Sequence, residues 1–208
     1  MSYDQVLIPV ARVNDLPETL AWVEAEGEKE TATPTAAALA ATLSEAASTE
    51  ALFSIVPLQA TGEALFVPAV YSAAQRARDV VLPAAFAAGY AVYDPQMMVL
   101  LDPRTAVSGH LTTQRFGSFP TLSPALIEAL LKATGSGDFL VAEREKLWFM
   151  QCYDNGDGTF ALERRDGAEH DHLATVATSA GQVGDALRGW LTGDDSAYRD
   201  LAWEVLTL

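Results

Sequence analysis

Two kinds of hydrophobic pattern alternate along the chain. Runs rich in β-branched and aromatic residues, QVLIPVARV over 5–13 and ALFVPAVY over 64–71, have the composition of strands. Between them, apolar positions recur three and four apart, the period of a helix with one buried face. In DLPETLAWVEAEGE, Asn14 or Asp15 is placed to cap the first helix, Pro17 falls in its first turn and Glu18 lies near its positive end. Thr33-Pro34-Thr35 opens a second helix with Leu39 and Leu43 on one face. ALFSIVPL over 51–58 reads as a strand like ALFVPAVY, and the prolines of the two, Pro57 and Pro68, favour an edge or a strand end. Ser72 is expected to cap SAAQRARDVVLPAAFAAG, which Pro83 kinks or splits and Gly89 ends. YAVYDPQMMVLLDP predicts two strands about a turn at Asp94-Pro95.

The pattern weakens over 104–120, RTAVSGHLTTQRFGSFP, which reads as a linker or an ordered polar loop. A boundary here gives an N-terminal α+β domain over 1–115 and a C-terminal α+β domain over 116–208. Past it, Ser123-Pro124 opens the helix PALIEALLKAT, closed by Gly135, and FLVAERE is a strand. LWFMQCY and TFALERR pair as a hairpin about loop 154–158, with Cys152 facing Phe160 and Met150 facing Leu162. Asp166-Gly167 then turns the chain into HDHLATVAT, completing a three-stranded meander. Two closing helices follow, AGQVGDALRGWLTG and SAYRDLAWEVL, with Gly193-Asp194-Asp195-Ser196 as the turn and cap between them. Trp190 and a face formed by Tyr198, Leu201 and Val205 are expected to cover the meander. The fold class is therefore α+β, in two mixed helix/sheet halves, the C-terminal one an antiparallel meander covered by helices. No internal repeat is present.

Composition narrows the partners. The 208 residues are half hydrophobic and carry a formal net charge of -15. That charge argues against nucleic acid and anionic membrane surfaces, and it would steer a basic protein towards the chain. The N-terminus lacks the basic start and long apolar run of a signal peptide, and no apolar run has the length of a spanning helix, so the expected location is cytoplasmic.

Candidate chemistry is sparse. YDNGDGTFALERRDG over 153–167 looks at first like a calcium loop, but counting from Asp154 puts Gly156, Gly158 and Arg165 at ligand positions and Thr159 where the turn glycine belongs. Turn chemistry explains the segment better. His170 and His172, two apart on a strand, point to one face and with Asp166 suggest a metal-dependent enzyme, although His110 and Cys152 are the only further His or Cys ligands in the chain. Cys152, the single cysteine, reads as a buried small hydrophobe. No nucleophile elbow, phosphate loop, dinucleotide fingerprint or HExxH motif occurs, so no catalytic residue, metal ligand or cofactor is assigned.

The order FMQCYDNGDGTFALERRDG, a strand, and VGDALRGWLTGDDSAYRDLAWEVLTL resembles the C-terminal part of immunity proteins encoded beside polymorphic toxins in actinobacteria. The matching residues are Asn155, Asp157, Gly158, Thr159, Leu162, Glu163, Arg165, Asp166 and Gly167 in the hairpin, and Trp190, Asp195, Ser196, Trp203 and Glu204 in the tail. Arg164 stands where that family usually has tyrosine. More loosely, the first half resembles uncharacterised actinobacterial proteins that begin MSYD and carry VYS and YDPQ segments, here 70–72 and 93–96. The resemblance implies a non-enzymatic inhibitor that binds a cognate secreted toxin and blocks its catalytic domain; a secretion-system scaffold or accessory protein, which also binds a partner without chemistry, is a separate alternative. On that reading the acidic loop residues Asp154, Asp157, Asp166, Glu169, Asp171, Asp194 and Asp195 are the expected toxin contacts, meeting a basic cleft.

Overall fold

A computed structural model describes residues 2–168 and 171–206. They form an α+β fold in two compact units, which divide between Thr105 and Ala106.

The described residues of the first unit build a five-stranded sheet in the order β2-β3-β1-β4-β5. Its strands are β1 (Ser2–Pro9), β2 (Ala60–Thr61), β3 (Ala64–Val70), β4 (Tyr90–Asp94) and β5 (Val99–Leu101), and every pairing is antiparallel. Alternation along β1 sends Val6 and Ile8 to one face and Tyr3, Gln5 and Leu7 to the other, all of them buried. Helix α1 (Leu16–Gly27) covers the first face through Val23, Leu20 and Trp22. It starts as expected, the Asp15 side chain accepting from the Glu18 N–H at 2.9 Å with Pro17 in the first turn. Helices α2 (Pro34–Ala46) and α3 (Ala74–Ala87) lie together over the other face, burying Leu39, Leu43, Val81 and Leu82.

Three local expectations change here. The 51–58 segment is not a strand: it touches β3 through a bridge of Phe53 to Ala69, and Ile55 and Val56 are exposed. Ser72 caps nothing, because a 3-10 turn over Tyr71–Ala73 leads into α3 without a side-chain cap. Pro83 leaves α3 unsplit. It and Asp79, whose carbonyl loses its helical donor, both lie on the exposed side, where water can take the place of the missing bond.

The second unit is a seven-stranded sheet of described residues, in which a four-stranded meander is extended by a hairpin along one edge and a two-residue strand along the other. Its core is the meander β8 (Phe139–Glu145), β9 (Trp148–Asp154), β10 (Phe160–Asp166) and β11 (His172–Ala177). The polar 104–120 stretch is not a linker but supplies the hairpin β6 (His110–Thr113) and β7 (Gly117–Phe119), and β6 pairs with β8. Leu111, Leu140, Ala142, Met150, Cys152 and Leu162 line the inner face. Two helices pack on it: α4 (Pro124–Ala133), capped by Ser123, and α5 (Ala180–Thr192), capped by Ser179. Val183, Leu187, Trp190 and Leu191 of α5 are buried, at about 1.5–3 kcal/mol for each large apolar side chain removed from water.

The hairpin register differs by two residues from the expected one: Leu162 faces Cys152, Phe160 faces Asp154, and the loop is 155–159. A shift of two keeps each side chain on its face but changes every partner. After α5 the expected second helix is absent. A 3-10 turn (Asp195–Ala197) and the two-residue strand β12 (Glu204–Val205) replace it, and Val205 is exposed. The Trp203 indole N–H donates to the Tyr198 carbonyl at 2.7 Å, and the Arg164 guanidinium lies 5.5 Å from the Tyr198 ring and 5.2 Å from that of Trp203. The tail thus folds back over a cation instead of coiling, which gives Arg164 a packing role where the resembled family has tyrosine.

Candidate functional site

The hairpin loop is a device of turns. Asp154 Oδ1 accepts from the Gly156 N–H at 2.8 Å, and Asp157 Oδ1 accepts from the Thr159 N–H at 2.9 Å and its hydroxyl at 2.6 Å. Those bonds hold the Asp157 carboxyl below the usual carboxylate range. Gly156 and Gly158 have φ of 80° and 90°, a region a side chain would strain. Asp194 behaves similarly, accepting from the Ser196 N–H at 3.0 Å, and its carboxyl is also held low. Asp195 lies 3.6 Å from the Arg199 guanidinium and Asp166 accepts from Arg164 at 2.8 Å. Asp171, half-buried, precedes β11, while Glu169 and His170 lie outside the described residues.

These acids do not converge. Asp154 and Asp157 stand at the β9–β10 turn, and Asp166 and Asp171 at the other end of β10, a strand of seven residues. At about 3.3 Å per residue the two groups are roughly 20 Å apart.

What sequence reading missed lies between them, on the sheet face opposite α4 and α5, which carries no helix of its own unit. There Glu163 sits opposite Gln151 on β9 and Ala174 on β11. Its Oε2 accepts from the Gln151 amide at 2.8 Å and lies 3.0 Å from His172 Nε2. The small Ala174 leaves room for the imidazole to lean in from the neighbouring row, edge-on to Phe149 with ring centroids 5.6 Å apart. A carboxylate can only accept, so in this contact Nε2 carries the proton. Its Nδ1 is buried without a hydrogen-bond partner among the described residues. Among the described residues no three His, Cys, Asp or Glu side chains are grouped to hold a metal. Cys152, on the buried side of the same sheet, has its thiol pushed up to about 12 by burial.

Two hollows flank this part of the unit. The larger, about 690 Å³, runs along the outer side of α5 past Thr178, Gln182, Asp185, Arg188 and Asp194, with Asp185 already paired to Arg188. The smaller, about 270 Å³, lies on the open face between Phe139, Val141, Gln151, Tyr153, Ala161 and Glu163.

The first unit holds a second polar cluster, sealed beneath α3. The Tyr3 hydroxyl donates to Asp94 Oδ2, while Asp94 Oδ1 accepts from the N–H groups of Gln96 at 3.0 Å and Met97 at 3.1 Å. Arg78, 4% exposed, lies 5.9 Å from the Tyr3 ring centroid. Burial raises the Asp94 carboxyl and lowers the Arg78 guanidinium, each against its charged form. Gln5 is 1% exposed, and its amide forms no hydrogen bond among the described residues. The signal for this cluster was present in the sequence: Tyr3, Gln5 and Leu7 alternate on one face of an apolar strand, where an inward glutamine marks a buried polar site.

Among the described residues no helix is long and apolar enough to cross a membrane. Compared with protein-family models, curated proteins and solved structures, the chain matches none.

Proposed function

We propose that this chain is a cytoplasmic immunity protein of the actinobacterial polymorphic-toxin kind, which binds a cognate toxin and neutralises it by covering its catalytic domain. The observation that carries the reading is an antiparallel sheet backed on one face by the helices of its own unit and bearing acidic turns at both ends of its central hairpin, in a chain of net charge -15. Loops on such a frame vary without cost to the core, and their charge speeds encounter with a basic cleft. The turn bonds of Asp154, Asp157 and Asp194 each use one carboxylate oxygen, so these side chains are fixed in place yet still present charge. Asp166, Glu169, Asp171 and Asp195 complete the proposed contact set.

The test is co-expression with the toxin domain encoded beside this gene. Relief of toxicity and a stoichiometric complex, formed more slowly at high salt, are expected. Undiminished toxicity with both proteins present would remove the proposal. A metal-dependent enzyme built on His170 and His172 is the weaker reading, because His172 Nε2 is occupied by Glu163.

A further inference from the structure

We infer that the hollow on the open face of the second sheet is a recognition pocket for one arginine side chain of a basic partner protein. It rests on the inhibitor reading and names the part of the surface that would grip the toxin, and it moves the centre of binding from the acidic turns to the sheet between them.

The pocket is a grid of three strands by two rows. Phe139, Tyr153 and Ala161 form one row, and Val141, Gln151 and Glu163 the next. Ala161, between the larger Tyr153 on β9 and Val176 on β11, is the small residue that leaves the hollow. Its volume, about 270 Å³, falls short of the roughly 300–1,000 Å³ of small-molecule sites but suits a single long side chain. Tyr153 is 48% exposed and the Glu163 side chain 26%, so both are open to a visitor.

The chemistry selects a guanidinium. Glu163 Oε2 is held by Gln151 and His172, which locks the carboxylate, and Oε1 forms no hydrogen bond among the described residues. An anchored carboxylate beside aromatic rings complements a planar, weakly hydrated cation, which can donate to Oε1 while its face lies on a ring. Gln151 and His172 are positioning residues here, since both are spent on orienting Glu163. The competing cation on this face is Arg165, whose Nε donates to the Ala168 carbonyl at 3.3 Å. Glu143 and the exposed Glu204 add negative charge on the same face. The whole chain, at -15, favours a basic partner over a second copy of itself.

The experiment follows backbone amide resonances of the full-length protein as Nα-acetyl-arginine-methylamide is added, with the capped citrulline as neutral isostere. Saturable shifts grouped at Tyr153, Ala161 and Glu163 are expected with arginine, absent with citrulline, and about ten-fold weaker in affinity or worse for Glu163→Gln. Ala161→Leu, which fills the hollow without touching the carboxylate, should abolish them, and unchanged resonances elsewhere report that each variant folds. Equal shifts from citrulline, or from arginine on both variants, overturn the pocket, as does the absence of grouped shifts. Toxin bound equally by the parent and by Glu163→Gln would sink the pocket and leave the inhibitor reading standing. Arginine seated in the pocket, with no toxin bound by the parent, would do the reverse.

Discussion

The two units solve the same packing problem differently. In the first, α1 covers one face of the sheet and α2 with α3 the other, so Tyr3, Gln5, Arg78 and Asp94 are shut away from water. In the second, α4 and α5 share one face, and Gln151, Glu163 and His172 hold their contacts on the side left without a helix. Polar groups under a lid serve the fold, because an unpaired buried charge costs several kcal/mol and the network has little freedom to do anything else. On the face without a helix of its own unit, Glu163 and Gln151 are partly open to solvent and can exchange water for a partner, while His172 is itself buried. The comparison teaches that burial, more than residue type, separates a structural polar cluster from one available for binding.

The sharpest way to break this contrast is Asp94→Ala. It strands the Tyr3 hydroxyl and two backbone N–H groups in a buried site, and is expected to cost about 3–5 kcal/mol in chemical denaturation. A loss under about 1 kcal/mol would show that the sealed cluster contributes little to folding. The pH dependence tests the same point more gently. The folded protein holds the Asp94 proton more tightly than the unfolded chain, so this group favours folding fully below the ordinary carboxyl range and the advantage is lost as pH rises through the raised folded value. The stability of the parent relative to Asp94→Asn should therefore fall across that window and be level above it. A difference that rises with pH would reverse the assignment.

On the open face the expected changes are smaller. Gln151→Ala should cost about 1 kcal/mol or less in the same denaturation measurement, because water can replace the amide at Glu163. A cost as large as that of Asp94→Ala would mean the face is sealed like the first unit. Smallest of all is Asp157→Asn. Its carboxyl is depressed, so its support of the hairpin is present above the ordinary carboxyl range and lost as pH falls through the folded value, opposite in sign to Asp94. The variant should flatten the acid response of hydrogen exchange at Thr159 and leave the rest of the sheet unaffected.

Much of the frame was legible. Asp15, Thr33 and Ser123 are caps written in the sequence, and each helix they open is there. The candidate site was not, for a definite reason. The expected hairpin register placed Phe149 opposite Glu163, and the actual one places Gln151 there. Apolar alternation fixes the face of a side chain but is indifferent to slips of two, so pairing across the hairpin depended on the turn bonds of Asp154 and Asp157. At 51–58 and 195–205, composition and spacing were followed where distant partners decide. Ser54 donates to the Pro68 carbonyl, and Arg164 draws Tyr198 and Trp203 around itself.

Cys152 carries one more consequence. It is the only thiol in the chain, it belongs to the second unit, and in the closed sheet it is both inaccessible and protonated. An alkylating reagent can reach it only when β8–β10 come apart, so the labelling rate is a clock on the opening of that sheet alone. The first unit, having no cysteine, is silent in such an assay. One natural residue therefore lets the breathing of the second unit be timed separately from the unfolding of the first, and a partner that clamped the sheet would slow the clock without touching the sulfur.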